Sequence, residues 1–212
     1  MRKRTPTKRN LNNLLYKSIT KFPSTKSDDS PTITESPLEA DFCYHLEFDK
    51  EVLKYEAQPL CFEYWYDGAI HYYTADFEVF YEGHSCYYEI KFENDILRDK
   101  DFYLIFEAQK KAAIKLEKDL LLITDEFILK PNRYENLCLL YKHSKADIQT
   151  DYLLLVAERL KHEGELMISE LLRGDTYSSD FQQIYKHIWN QRLIADLETE
   201  ILSVHTLIRL NG

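Results

Sequence analysis

From residue 34 onward the apolar positions repeat with two periods, one helical and one of two residues. Leu38, Phe42 and Leu46 recur at helical spacing behind Ser36-Pro37, which predicts a helix with Ser36 as its N-cap and Pro37 at the first helical position. A β-rich stretch follows. Residues 55–66 read as one strand, Asp67-Gly68 as a tight turn and residues 69–73 as the return strand. A second hairpin is predicted from residues 76–81 and 86–92 around Glu82-Gly83-His84. Residues 95–118 carry Phe102, Ile105, Phe106, Ala113 and Leu116 in the pattern of one long amphipathic helix. The apolar run at 119–124 predicts a strand buried on both faces, and Pro131-Asn132 opens a helix through Leu137, Leu140 and Tyr141. Beyond residue 146 come three short helices, at 151–163, 165–172 and 178–191, then a ribbon at 193–196 and 201–210.

This order predicts an α/β protein: a mixed-sheet core over residues 34–145, followed by a small winged-helix-like domain over residues 146–212. Residues 1–33 are rich in Lys, Arg, Ser, Thr and Pro and read as a flexible basic arm with a short helix around 11–16. Either the arm touches DNA or a partner, or it is a plain solvated tail. At 212 residues and 44% hydrophobic content, a sizeable core is available. Cys43, Cys61, Cys86 and Cys138 are scattered, as expected of reduced thiols in a cytoplasmic protein, and the histidines show no ligand spacing for zinc. No run is apolar enough to predict a membrane span.

Charge is unevenly spread. Residues 1–29 hold eight Lys and Arg against Asp28 and Asp29, a net of +6; with the whole chain at −9, the remainder is −15. Affinity for a phosphate backbone comes mainly from cations, so an acidic body needs a partner or metal ions to hold DNA. Lys110, Lys111 and Lys115 lie on the 95–118 helix and are either a solvated face or a DNA-facing one. The 178–191 helix has few cations for a recognition helix, which points towards protein contact.

The second hairpin carries the candidate chemistry. Alternation along a strand projects Glu89 and Lys91 from one face, and pairing of the two strands brings Asp76 beside Glu89. Two carboxylates with a neighbouring ammonium suit a hard divalent cation such as Mg²⁺ and a hydrolytic water that the lysine positions or deprotonates. The pattern of Asp, a spacer and Glu-x-Lys resembles the signature of restriction-endonuclease-like nucleases. Glu39 has two readings: it caps its own helix, or it turns to the strands as a further carboxylate.

The runs Ser-Pro-Leu-Glu-Ala-Asp-Phe (36–42), Leu-Glu-Phe-Asp (46–49), Tyr-Glu-Ala-Gln-Pro-Leu (55–60), Tyr-Thr-Ala-Asp-Phe (73–77) and Tyr-Glu-Ile-Lys (88–91) occur in this order. Together they resemble the TnsA family, the endonuclease subunit of heteromeric transposases, over about residues 34–130. The resemblance implies a restriction-endonuclease-like core, a bacterial cytoplasmic setting, and Mg²⁺-dependent hydrolysis at the 5′ ends of a transposon, with Mn²⁺ able to substitute. It implies Glu39, Asp76 and Glu89 as metal-binding carboxylates and Lys91 as the basic residue at the scissile phosphate. Gln58, Lys110 and Lys111 are expected near the DNA. The implied partners are double-stranded transposon-end DNA, a TnsB-like transposase that cuts and joins the 3′ ends, and a TnsC-like ATPase regulator. Ala75 stands where the family often has proline. A nuclease acting alone, and a non-enzymatic protein working through its winged helix, are the alternative readings.

Overall fold

The computed structural model describes residues 19–174 and 177–212, and the chain divides into two units, Met1–Leu129 and Lys130–Gly212. In the first, β1 (Thr20–Phe22) and β2 (Thr32–Thr34) form an antiparallel ribbon within the stretch expected to be an arm. One buried carboxylate accounts for this. Glu47 of helix α1 (Pro37–Phe48) accepts from Ser24 Oγ at 2.6 Å, the Thr25 N–H at 2.9 Å and the Tyr55 hydroxyl at 3.0 Å. A carboxylate taken out of water needs donors of this kind, and the segment after β1 supplies them. Residues 1–18 of the expected arm, with its helix at 11–16, lie outside the described residues.

The strand expected over 55–66 is broken in two. Gln58 adopts a left-handed φ of +50° and Pro59 follows with no N–H to donate. As a result β3 (Lys54–Ala57) and β4 (Phe62–Tyr66) enter different sheets. Strand β4 pairs with β5 (Ala69–Tyr73) across Asp67 and Gly68, whose φ values of +47° and +71° suit a two-residue hairpin loop.

The main sheet has the order β3-β6-β7-β8, with β6 (Phe77–Tyr81) and β7 (His84–Lys91) antiparallel to their neighbours up to β8 (Asp119–Thr124), which lies parallel to β7. Tyr88 points to the face covered by α1, where Phe42 meets it at 5.6 Å and Phe77 at 5.8 Å between ring centroids. Tyr87 points to the opposite face and stacks on Phe62 at 5.3 Å. There it joins a core with Ala75, Phe106, Ala113 and Leu120. Burial of each large apolar side chain contributes about 1.5–3 kcal/mol.

Two expectations along this stretch change. The helix over 95–118 becomes α2 (Glu93–Arg98) and α3 (Phe102–Ile114), because Asp99 is extended and its Oδ1 takes the Asp101 N–H at 3.0 Å. Strand β8 is not buried on both faces: as an edge strand it buries Leu120 but leaves Leu121 exposed. Helix α4 (Asp125–Ile128) follows it.

The second unit begins with α5 (Arg133–His143), which was expected in the first domain. It packs on α8 (Tyr177–Trp189) through Tyr141–Trp189 and His143–Tyr185 ring pairs at 5.3 and 5.4 Å, so this unit starts before residue 146. Between them lie α6 (Thr150–Glu163), β9 (Glu165–Met167) and α7 (Ile168–Leu171); the expected 165–172 helix is therefore a strand and a single turn. Strands β10 (Leu193–Ala195) and β11 (Leu207–Leu210) complete an antiparallel sheet ordered β10-β11-β9. The second ribbon strand, expected from 201, starts only at Leu207 because residues 197–202 are tied to α5. Asn136 Nδ2 donates to the Leu197 and Glu200 carbonyls at 3.0 and 2.8 Å, and its Oδ1 accepts the Leu202 N–H at 2.8 Å. No helix among the described residues is long and apolar enough to cross a membrane.

A buried histidine makes this unit acid-sensitive. His187 on α8 is 1% exposed, and neither ring nitrogen has a hydrogen-bond partner among the described residues. Burial, then Arg192 and Lys186, lower its pKa to about 4. The unfolded chain takes up the proton first, near the ordinary value of about 6.5. Stability of this unit is therefore complete above that value and declines as pH falls from about 6.5 to about 4. His187→Leu removes two buried polar atoms; thermal melts against pH should show equal or greater stability at pH 7 and a flattened acid decline.

Candidate functional site

The β6–β7 register assembles the site. Phe77 lies opposite Tyr88, and the pairing runs on one residue further: the Asp76 N–H donates to the Tyr88 carbonyl at 3.0 Å. Asp76 Oδ2 then accepts the Ile90 N–H at 2.8 Å, which fixes its carboxylate beside Glu89. Glu89 and Lys91 leave β7 on the same face as Tyr87, towards the β4–β5 ribbon and α3. Lys91 Nζ meets Glu89 Oε1 at 2.7 Å. Asp76, Glu89 and Lys91 are thus brought together as the alternation requires.

Glu39 stands differently. Its Oε1 accepts from Ser36 Oγ at 2.9 Å, its Oε2 accepts the Glu35 N–H at 2.8 Å, and its own N–H donates to Ser36 Oγ at 3.2 Å. The capping reading therefore describes its contacts, while its charge still acts on Asp76 and Lys91. Burial first, then the charges of Glu89 and Glu39, push the Asp76 carboxyl well above the usual carboxylate range. Burial also raises Glu39. For Lys91, burial acts downward, but Glu89, Asp76 and Glu39 outweigh it and hold the ammonium above its ordinary value. A lysine so held is a cation at neutral pH.

Gln58 was expected near DNA, yet it is 1% exposed. Its N–H donates to the Asp76 carbonyl at 2.9 Å, and its Nε2 lies 3.4 Å from Asp76 Oδ1. Its place is behind the carboxylate. A left-handed non-glycine backbone costs about 1–3 kcal/mol and is held only where surroundings over-determine it. Lys110 is half-buried on α3, whereas Lys111 is exposed and lines a groove of about 770 Å³ with Trp65, Ile70 and Leu104. Tyr73, which carried no expected role, donates its hydroxyl to Glu89 Oε2 at 2.5 Å. Only its position three residues before Asp76 hinted at this, because β5 belongs to a different sheet from Glu89.

Among the described residues, no three His, Cys, Asp or Glu side chains stand together ready to hold a metal ion. Asp76 and Glu89 form a pair, and Glu39 is engaged with its own helix end. The donor set nonetheless fits a hard cation. It is all oxygen, with Glu39 as a further carboxylate whose charge acts on Asp76, and this surplus of negative charge adds to burial in raising Asp76. No protein-family model matches the chain, and comparison with curated proteins gives no match.

Proposed function

We propose that this chain is a metal-dependent DNA endonuclease with a restriction-endonuclease-like core, working as the TnsA-type subunit of a transposase. The observation that carries the reading is the β6–β7 geometry, which sets Asp76 beside Glu89 and pairs Glu89 with Lys91. Asp76 and Glu89 would hold Mg²⁺, or Mn²⁺ in its place, and Glu39 would join them by releasing Ser36 and the Glu35 N–H. The bound ion would supply positive charge to a water and to the oxygens of the scissile phosphodiester. Lys91, kept as an ammonium, stabilises the negative charge that builds on those oxygens during hydrolysis.

The order α6-β9-α7-α8-β10-β11, with its β10-β11-β9 sheet, supports a winged-helix-like second unit. Major-groove reading by α8 is disfavoured. Gln183, Ile184, Tyr185, His187 and Ile188 are buried, Gln183 bonds to the 147–149 backbone, and α5 packs along the helix. The loop in the place of a wing is fastened to Asn136. Together with the −15 charge outside residues 1–29, this favours protein contact over independent DNA recognition. A TnsB-like transposase, with a TnsC-like ATPase regulator, is the partner of choice.

Supercoiled plasmid tests the reading. With Mn²⁺ the purified chain should nick slowly and without site preference, and a chelator should stop it. Supplying the partner transposase and its DNA ends should concentrate cleavage at the 5′ ends. Efficient site-specific cutting by the chain alone would refute the dependence on a partner, and inertness under every condition would refute the nuclease.

A further inference from the structure

We infer that Tyr73 is the positioning residue of this site, holding Glu89 open beside Lys91; the inference rests on the nuclease reading above. Glu89 is divided between two donors. Tyr73 Oη donates to Oε2 at 2.5 Å, and Lys91 Nζ contacts Oε1 at 2.7 Å. Lys91 has more than one donor hydrogen and a flexible stem, so a carboxylate anchored by nothing else can turn both oxygens towards it. Such a closed pair leaves Glu89 poorly placed for any other cation. The tyrosine hydroxyl removes that option by claiming one oxygen.

The hydroxyl is itself held in place. Tyr73 sits opposite Phe62 in the β4–β5 ribbon, their rings meeting edge to face at 5.3 Å between centroids. Phe62 stacks in turn on Tyr87 of β7 at 5.3 Å. The ribbon is therefore fixed against the sheet by its rings, and Tyr73 reaches from it to Glu89. Packing requires only the ring. The hydroxyl is free to be spent on the carboxylate, and Tyr73→Phe separates the two.

The test uses the full chain with Mn²⁺ as the probe, measured by titration calorimetry, thermal melting and plasmid nicking. Tyr73→Phe should keep its melting temperature and weaken Mn²⁺ binding by about tenfold or more, as loss of a partner behind a metal ligand does. It should lower kcat while leaving KM for DNA unchanged. In a Glu89→Gln background the same change should cost no further Mn²⁺ affinity, because the hydroxyl acts through that carboxylate. Unchanged affinity and kcat in folded Tyr73→Phe would overturn the inference while leaving the nuclease standing. A Tyr73→Phe chain that unfolds would overturn it too, by making the hydroxyl a group of the fold. If the parent chain neither binds Mn²⁺ nor nicks DNA, the nuclease reading itself fails and this inference with it.

Discussion

Asp76→Ala should abolish cleavage, lowering it on the order of a thousandfold or more, while the metal-free chain melts close to the parent. The two halves of this result have one cause. Asp76 lies in a buried cluster with a surplus of negative charge, and its carboxyl is pushed well above the usual range by burial and by Glu89 and Glu39. Its removal leaves the Ile90 N–H and the Gln58 amide without this acceptor, at a cost of about 1–3 kcal/mol for each buried donor that finds no other. It also relieves the repulsion that produces the shift, which acts in the opposite direction. Thermal melting without metal, beside plasmid nicking with Mn²⁺, checks both halves. If the chain works with a transposase as proposed, only 3′-strand joining would remain in that partner's presence, so donor and target DNA should stay connected. Simple insertions as the main product of Asp76→Ala would contradict the assigned role.

Lys91→Ala should separate chemistry from metal binding in the opposite sense. Cleavage should fall by on the order of a hundredfold or more, since the lost cation faced charge that develops only in the transition state. Mn²⁺ affinity should be unchanged or improved, because Glu89 loses the ammonium that competes for Oε1. The metal-free chain should be less stable than its parent. Glu89, Asp76 and Glu39 all act on Lys91, and without it their charges face one another uncompensated. Calorimetry, melting and single-turnover cleavage together distinguish this from a structural lysine, whose loss would weaken metal binding and chemistry alike.

Local rules made much of this protein legible. The start of α1 follows from Ser36, Pro37 and Glu39, and the structure contains those capping bonds. Asp67-Gly68 dictated a hairpin, and alternation along β7 put Glu89 and Lys91 on one face with Asp76 across the ladder. Each is decided within a few residues, by backbone sterics or by the two-residue period of a strand, so the sequence holds all the information needed.

Tertiary structure decided what depends on distant partners. Nothing near residues 20–34 says that they form a ribbon, because the buried Glu47 that holds residues 24–26 belongs to a later helix. Continuous apolar character marked 119–124 as a strand but not as an edge strand, since sheet order is set by which neighbours pair. Helix α5 reads like a final element of the first unit, yet its rings pack on α8, more than forty residues away along the chain. Tyr73 is the sharpest case. Periodicity places it on a strand; only the stacking of Phe62 on Tyr87, between two separate sheets, carries its hydroxyl to Glu89.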